Sequence, residues 1–179
     1  PADAPESHAI AVLQLTEHLL PVLPQSAAEQ IRNPLQELAR HGAFAVSYLA
    51  SRICDRLWPG NHPALCGDVA QRYLSNLKNA VHWTVKLVQI DALCDDAANH
   101  PQSAFHTAMH LSNLLSVSEH LPVREHAGRG LLQIADHLTV DQRNEICVDL
   151  LRELEGGRDQ VSRFIPPYLG GLMHMLPEK

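Results

Sequence analysis

Five apolar positions recur at a fixed spacing near the C-terminus. Val123, Ala127, Leu131, Ile134 and Leu138 return as Val161, Ile165, Leu169, Leu172 and Leu176, each displaced by 38 residues (123 to 161). Within each set the intervals follow the turn of a helix, so each set lines one helix face. A repeat of this length, made only of helix-period segments, is the signature of helical hairpins that bury their apolar faces against one another. No segment shows strand alternation with turn signals. The expected fold class is all-α, with antiparallel helical hairpins stacked as a short α-solenoid.

Punctuation residues divide the chain into helices. Ser7 is an N-cap candidate for a first helix carrying Ile10, Leu13, Leu15 and Leu20, which Pro21 and Pro24 end. Ser26-Ala27-Ala28-Glu29 has the spacing of a capping box and predicts a second helix to about Arg40, with Pro34 inside it. A third helix spans about Ala43 to Leu57 and aligns Val46, Leu49, Ala50, Ile53 and Leu57. Trp58-Pro59-Gly60-Asn61-His62-Pro63 is the clearest loop. It suggests N-terminal hairpins over 1–58, a loop over 59–67 and helical repeats over 68–179, in one continuous domain. A long helix capped by Asp68 is expected from Val69 to Leu93, with Lys78 and Lys86 facing water, before a polar turn at Asp95-Asp96 and Asn99-His100-Pro101.

Further on, helices are expected over about Gln102 to Val117 and Leu121 to Leu138, the latter with Pro122 in its first turn. Thr139-Val140-Asp141-Gln142 is a second capping-box pattern, opening a helix to about Leu154 that Gly156-Gly157 ends. A last helix follows to about Leu176, in which Pro166-Pro167 forces a bend or a restart. Gly128-Arg129-Gly130 lies within a helix and reads as a place where neighbouring helices approach closely. The polar, Pro-rich start at Pro1-Ala2-Asp3-Ala4-Pro5-Glu6 reads as a linker. Leu169, Leu172, Met173 and Leu176 either continue into a longer stack or another domain, pack inward, or join a second copy through the apolar terminal helix.

Composition narrows the function classes. The chain is 45% hydrophobic but only 4% aromatic, so its core is aliphatic and suited to close helix packing. A formal charge of −6 argues against general nucleic-acid binding, which rests on neutralised phosphates. Cys54, Cys66, Cys94 and Cys147 form no CxxC pair and are expected to be reduced and mostly buried. No apolar run is long enough to span a bilayer, and no N-terminal signal pattern appears. The expectation is no membrane association and a cytoplasmic setting.

The segment from Pro122 to Leu176 resembles HEAT repeats. Pro122-Val123-Arg124-Glu125-His126-Ala127 opens one A helix, with the Leu131/Ile134/Leu138 ladder behind it. Asp141-Gln142-Arg143 starts a B helix, and Val161-Ser162-Arg163-Phe164-Ile165-Pro166-Pro167-Tyr168-Leu169 supplies a second copy. The resemblance implies an α-solenoid whose B helices line a concave surface that binds a protein partner; some members instead bind nucleic acid or act on alkylated bases. On the B helix the apolar face is read as Ile146, Leu150, Leu151 and Leu154, opposite Gln142, Arg143, Glu145, Asp149, Arg152 and Glu153. A mixed-charge face is ordinarily a solvated one. Its functional version makes Gln142, Arg143, Asp149 and Arg152 a binding set, with the two arginines anchoring an acidic or polar partner.

Twelve histidines raise the question of metal. His106 and His110 stand four apart on one helix face, a spacing that can hold zinc, and His100, Glu119 and His120 are candidates to lie nearby; but the Glu of a HExxH site is missing, an isolated HxxxH is common by chance, and no metal site is expected. No nucleophile elbow, phosphate loop or dinucleotide fingerprint is present. No cofactor is expected. The reading is therefore a protein-interaction or scaffold module, whose partner is another protein or another domain of the same polypeptide. The alternatives are an enzyme or DNA-acting protein on a helical-repeat fold and a structural domain of a larger protein.

Overall fold

A computed structural model describes residues 4–40, 42–59, 81–156 and 163–177. Among these, all regular structure is helical. Eight α-helices follow in order: α1 (Ala4–Leu19), α2 (Gln25–Leu38), α3 (Phe44–Leu57), α4 (Trp83–Asn99), α5 (Ala104–Val117), α6 (Leu121–Ile134), α7 (Val140–Glu155) and α8 (Ile165–His174). No helix among the described residues is long and apolar enough to cross a membrane. The chain divides into two units, Pro1–Gln89 and Ile90–Lys179, the division falling within α4. Of the expected 59–67 loop, all but Pro59 lies outside the described residues, as does most of the segment expected to form the first part of the long helix.

In the first unit α3 packs against both α1 and α2. Residues 45–51, Ile53 and Cys54 are all buried, including Tyr48 and Ser51. Ile10 and Leu13 of α1 and Leu35 of α2 complete this core. Glu17 of α1 is clamped by Arg52 at 2.7 Å and Arg56 at 2.9 Å, both from α3. The capping box expected at Ser26 does not form. Pro24 is the N-cap, which makes Ser26 the second residue of the helix, and no side chain caps the helix. Glu29 is instead engaged by Arg32 at 3.2 Å and the Trp58 indole N–H at 3.3 Å. Pro34 sits within a continuous α2.

Three further expectations are corrected in α4. Val81 and His82 are not helical, and the helix starts at Trp83, where His82 Nδ1 accepts the backbone N–H of Thr84 at 3.4 Å. It then runs through Asp95 and Asp96 to Asn99, beyond the expected stop at Leu93. The turn is fixed by Asp96, which accepts from Ser103 Oγ at 3.0 Å and pairs with His100 Nδ1 at 2.9 Å. Lys86 is half-buried, and that burial lowers its pKa, so it is not the fully solvated cation expected.

The second unit holds the repeat. Val123, Ala127, Leu131, Ile134 and Leu138 are all buried. Of the second set, Ile165, Leu169 and Leu172 are buried and Leu176 is half-buried; Val161 lies outside the described residues. The terminal helix thus turns most of its apolar residues inward and leaves Met173 exposed. Pro166-Pro167 falls in the first turn of α8, where proline costs no helical hydrogen bond. Both bonds of the Thr139 capping box form, Gln142 N–H to Thr139 Oγ1 at 3.2 Å and Thr139 N–H to Gln142 Oε1 at 3.0 Å.

In the principal packing of this unit, α5 lies against α6 and α7, and α8 lies against the same two. Small residues set the α6–α8 approach. A Cβ on Gly128 would lie 2.4 Å from the Tyr168 ring, and one on Gly171 would lie 2.8 Å from Leu132. Each helix therefore offers a glycine to a large side chain of the other. Tyr168 also donates its hydroxyl to the Glu125 carbonyl at 3.3 Å. Gly130 performs the same service toward Cys94, Ile90 and Leu111. Arg124, near the start of α6, is buried; it donates to the Ser118 carbonyl in the preceding turn and lies over the Phe164 ring at 5.8 Å.

Candidate functional site

The face between α5 and α7 carries a cleft of about 230 Å³ lined by Met109, Ser112, Asn113 and Ser116 on one side and Asp149, Arg152 and Glu153 on the other. The α5 residues are spaced i, i+3, i+4 and i+7, and the α7 residues i, i+3 and i+4. Each set is a single helix stripe, and the two stripes face one another. Ser112 and Ser116 are almost fully buried, and their small side chains leave room above them. Met109 is 39% exposed and offers the only large apolar surface among the cleft's lining residues. Arg152 donates to Asp149 at 3.0 Å, and with Glu153 the rim carries two carboxylates against one guanidinium.

This geometry sorts the four residues expected to form a binding set. Asp149 and Arg152 border the cleft together. Gln142 is used by the capping box. Arg143 is half-buried. At 100° per residue it projects among Ile146, Cys147 and Leu150, which are buried, and its Nε is enclosed with no hydrogen-bond partner. The opposite error concerns Leu151, assigned to the apolar face but 42% exposed. Both misplacements have one cause: the mixed pattern of α7 leaves the phase of its buried face ambiguous by about one residue.

His106 is exposed and His110 half-buried on α5. Among the described residues, no three His, Cys, Asp or Glu side chains gather as a metal site. His100, considered as a third ligand, is held by Asp96.

A second cleft, of about 390 Å³, is lined by Ile90, Asp91, Cys94, His126, Arg129, Gly130 and Gln133. His126 Nε2 meets Asp91 Oδ1 at 2.5 Å. No local motif announces this pair, because its members are 35 residues apart and on different helices. The neighbouring sulfur does not complete a nucleophilic site. Burial, reinforced by Asp91 and Asp95, pushes the Cys94 thiol up to about 12, so it stays protonated at neutral pH. Burial also raises Cys54 and Cys147, and all three are free thiols; Cys66 lies outside the described residues.

Comparison with family models, with curated proteins and with solved structures gives no match.

Proposed function

We propose that the chain is a protein-binding module and that the α5–α7 cleft receives a segment of its partner. The supporting observation is the pair of facing stripes, Met109/Ser112/Asn113/Ser116 and Asp149/Arg152/Glu153. The cleft combines one apolar anchor point, a floor of small hydroxyls, an amide and a charged rim, a mixture suited to a polypeptide. Its depth is modest, which fits a side chain or a turn of helix better than an enclosed metabolite.

In this reading α6 and α8 are equivalent A helices, α5 and α7 are equivalent B helices, and the cleft lies between the two B helices. The packing of α5 on α7 and of α6 on α8 supports that register. So does the 38-residue offset, which makes α6 and α8 equivalent. The solenoid likeness then assigns the α5–α7 side as the binding surface, and the excess of carboxylates selects a segment with a basic residue beside an apolar one.

The test is affinity capture with mass spectrometry, using the wild type, an Arg152→Glu/Glu153→Arg charge swap and an Asp141→Lys control. All changed residues are exposed, so circular dichroism is expected to match among the three. A partner held by wild type and control but lost by the swap supports the cleft. A partner held equally by all three removes the cleft from the proposal, and capture of no partner at all removes the binding function.

A further inference from the structure

The outward face of α1 is apolar, and so is its inward face. Ile10 and Leu13 are buried, and Glu17 beside them is clamped by Arg52 and Arg56. On the opposite side stand Val12, Leu15 and Leu19, exposed at 49%, 59% and 43%, with Val22 at 75% in the 3₁₀ turn that follows. Large apolar residues grouped and exposed on one side of a helix mark a contact surface. Among the described residues, nothing covers this side of α1.

The exposed residues are not scattered. Val12, Leu15 and Leu19 stand three and four residues apart, the spacing of one helix seam, and Val22 extends that seam into the 3₁₀ turn. Positions flanking that seam are Ala9, Ala11, Thr16 and His18, and none is an acid, lysine or arginine. The seam also reads the same from either end: Val, Leu, Leu, Val. A two-fold axis midway between Leu15 and Leu19 sets Val12 of one copy against Val22 of the other, and Leu15 against Leu19. Self-complementarity under a two-fold axis is the requirement for an isologous dimer. A chain of formal charge −6 can pair with itself only where like charges are kept apart, and this seam carries none.

We infer that α1 is the contact through which two copies of this chain pair, antiparallel, along Val12, Leu15, Leu19 and Val22. Four side chains cover far less than the roughly 800 Å² per partner of a standard interface. The dimer is therefore a weak one that forms and dissolves with concentration. It uses a surface distinct from the α5–α7 cleft and stands independently of the proposed binding function.

Sedimentation equilibrium of the full chain, from low concentration to about 1 mM, the weak end of the affinity scale, tests the inference. The wild type is expected to pass from monomer to dimer across this range. Leu15→Glu is expected to weaken the association at least tenfold, because it sets a carboxylate against the seam of the other copy without touching the core. Met173→Glu, at an exposed apolar residue of α8, is expected to leave it unchanged. A wild type that remains monomeric throughout overturns the inference and gives the face to a different partner. So does a dimer that Leu15→Glu leaves intact, or one that Met173→Glu dissolves equally.

Discussion

Helices α1 and α6 are close in length, and both carry leucine on more than one side, yet their surroundings differ. Around α6 every large apolar residue of the repeat has a neighbour, and Gly128 and Gly130 remove side chain where neighbours come closest. Around α1 the inward residues are covered and the outward seam is bare. Apolar content therefore does not by itself make a core. What distinguishes α6 is paired shape, a small residue opposite a large one, repeated across two contacts.

Truncating a leucine in each helix gives the sharpest contrast. Leu131 is fully buried, and Leu131→Ala is expected to cost about 2–5 kcal/mol in urea unfolding through lost burial and a cavity. If the cost is under 1 kcal/mol, α6 is not the packed centre of its unit. Next in size is Gly128→Ala, whose new methyl meets the Tyr168 ring at 2.4 Å. Overpacking of this kind is expected to cost about 1–3 kcal/mol. The loss should shrink in a Tyr168→Leu background, since contacting residues do not act additively; full additivity would separate the two side chains.

A third prediction concerns alkaline pH. The unfolded chain releases the Cys94 proton near 9.0, whereas the folded chain holds it to about 12. Between those values the folded state binds more protons, so stability falls as pH rises, by at most about 1.4 kcal/mol per pH unit from this group. Urea unfolding at pH 8 and pH 10 should show a larger loss for wild type than for Cys94→Ala. Equal losses would mean that the thiol is no more enclosed than the α1 seam. Smallest of all is Leu15→Ala, which at low concentration is expected to change stability within about 0.5 kcal/mol, as for exposed positions generally. A cost close to that of Leu131→Ala would mean that the seam is covered within a single chain.

The helical class and the close approaches at Gly128 and Gly130 were legible in the sequence, because periodicity and glycine placement are local signals. Thr139 and Gln142 were legible for the same reason, since a capping box closes within four residues. Ser26 and Glu29 carry the same capping-box pattern but not the same structure, because Pro24 starts that helix earlier and Trp58, far along the chain, takes part of the glutamate. Leu151 is exposed and Arg143 half-buried for a related reason: a helix pattern gives relative angles, and only the neighbours α5 and α8 decide which angle is buried. The Asp91–His126 pair depends entirely on two helices meeting. Likewise, the bare side of α1 follows from which neighbours are present, a property that no stretch of α1 encodes.

The contact between Gly128 and Tyr168 has a consequence for the order in which the chain is made. The glycine leaves the ribosome well before the tyrosine that sits over it, with forty residues of synthesis (128 to 168) between them. Throughout that interval α6 presents a notch and an apolar flank with nothing to fill them. A nascent chain paused before Pro166 would be a stronger client for chaperones than one paused after His174, and translation speed across the Gly156-Gly157 region would set how long that vulnerability lasts.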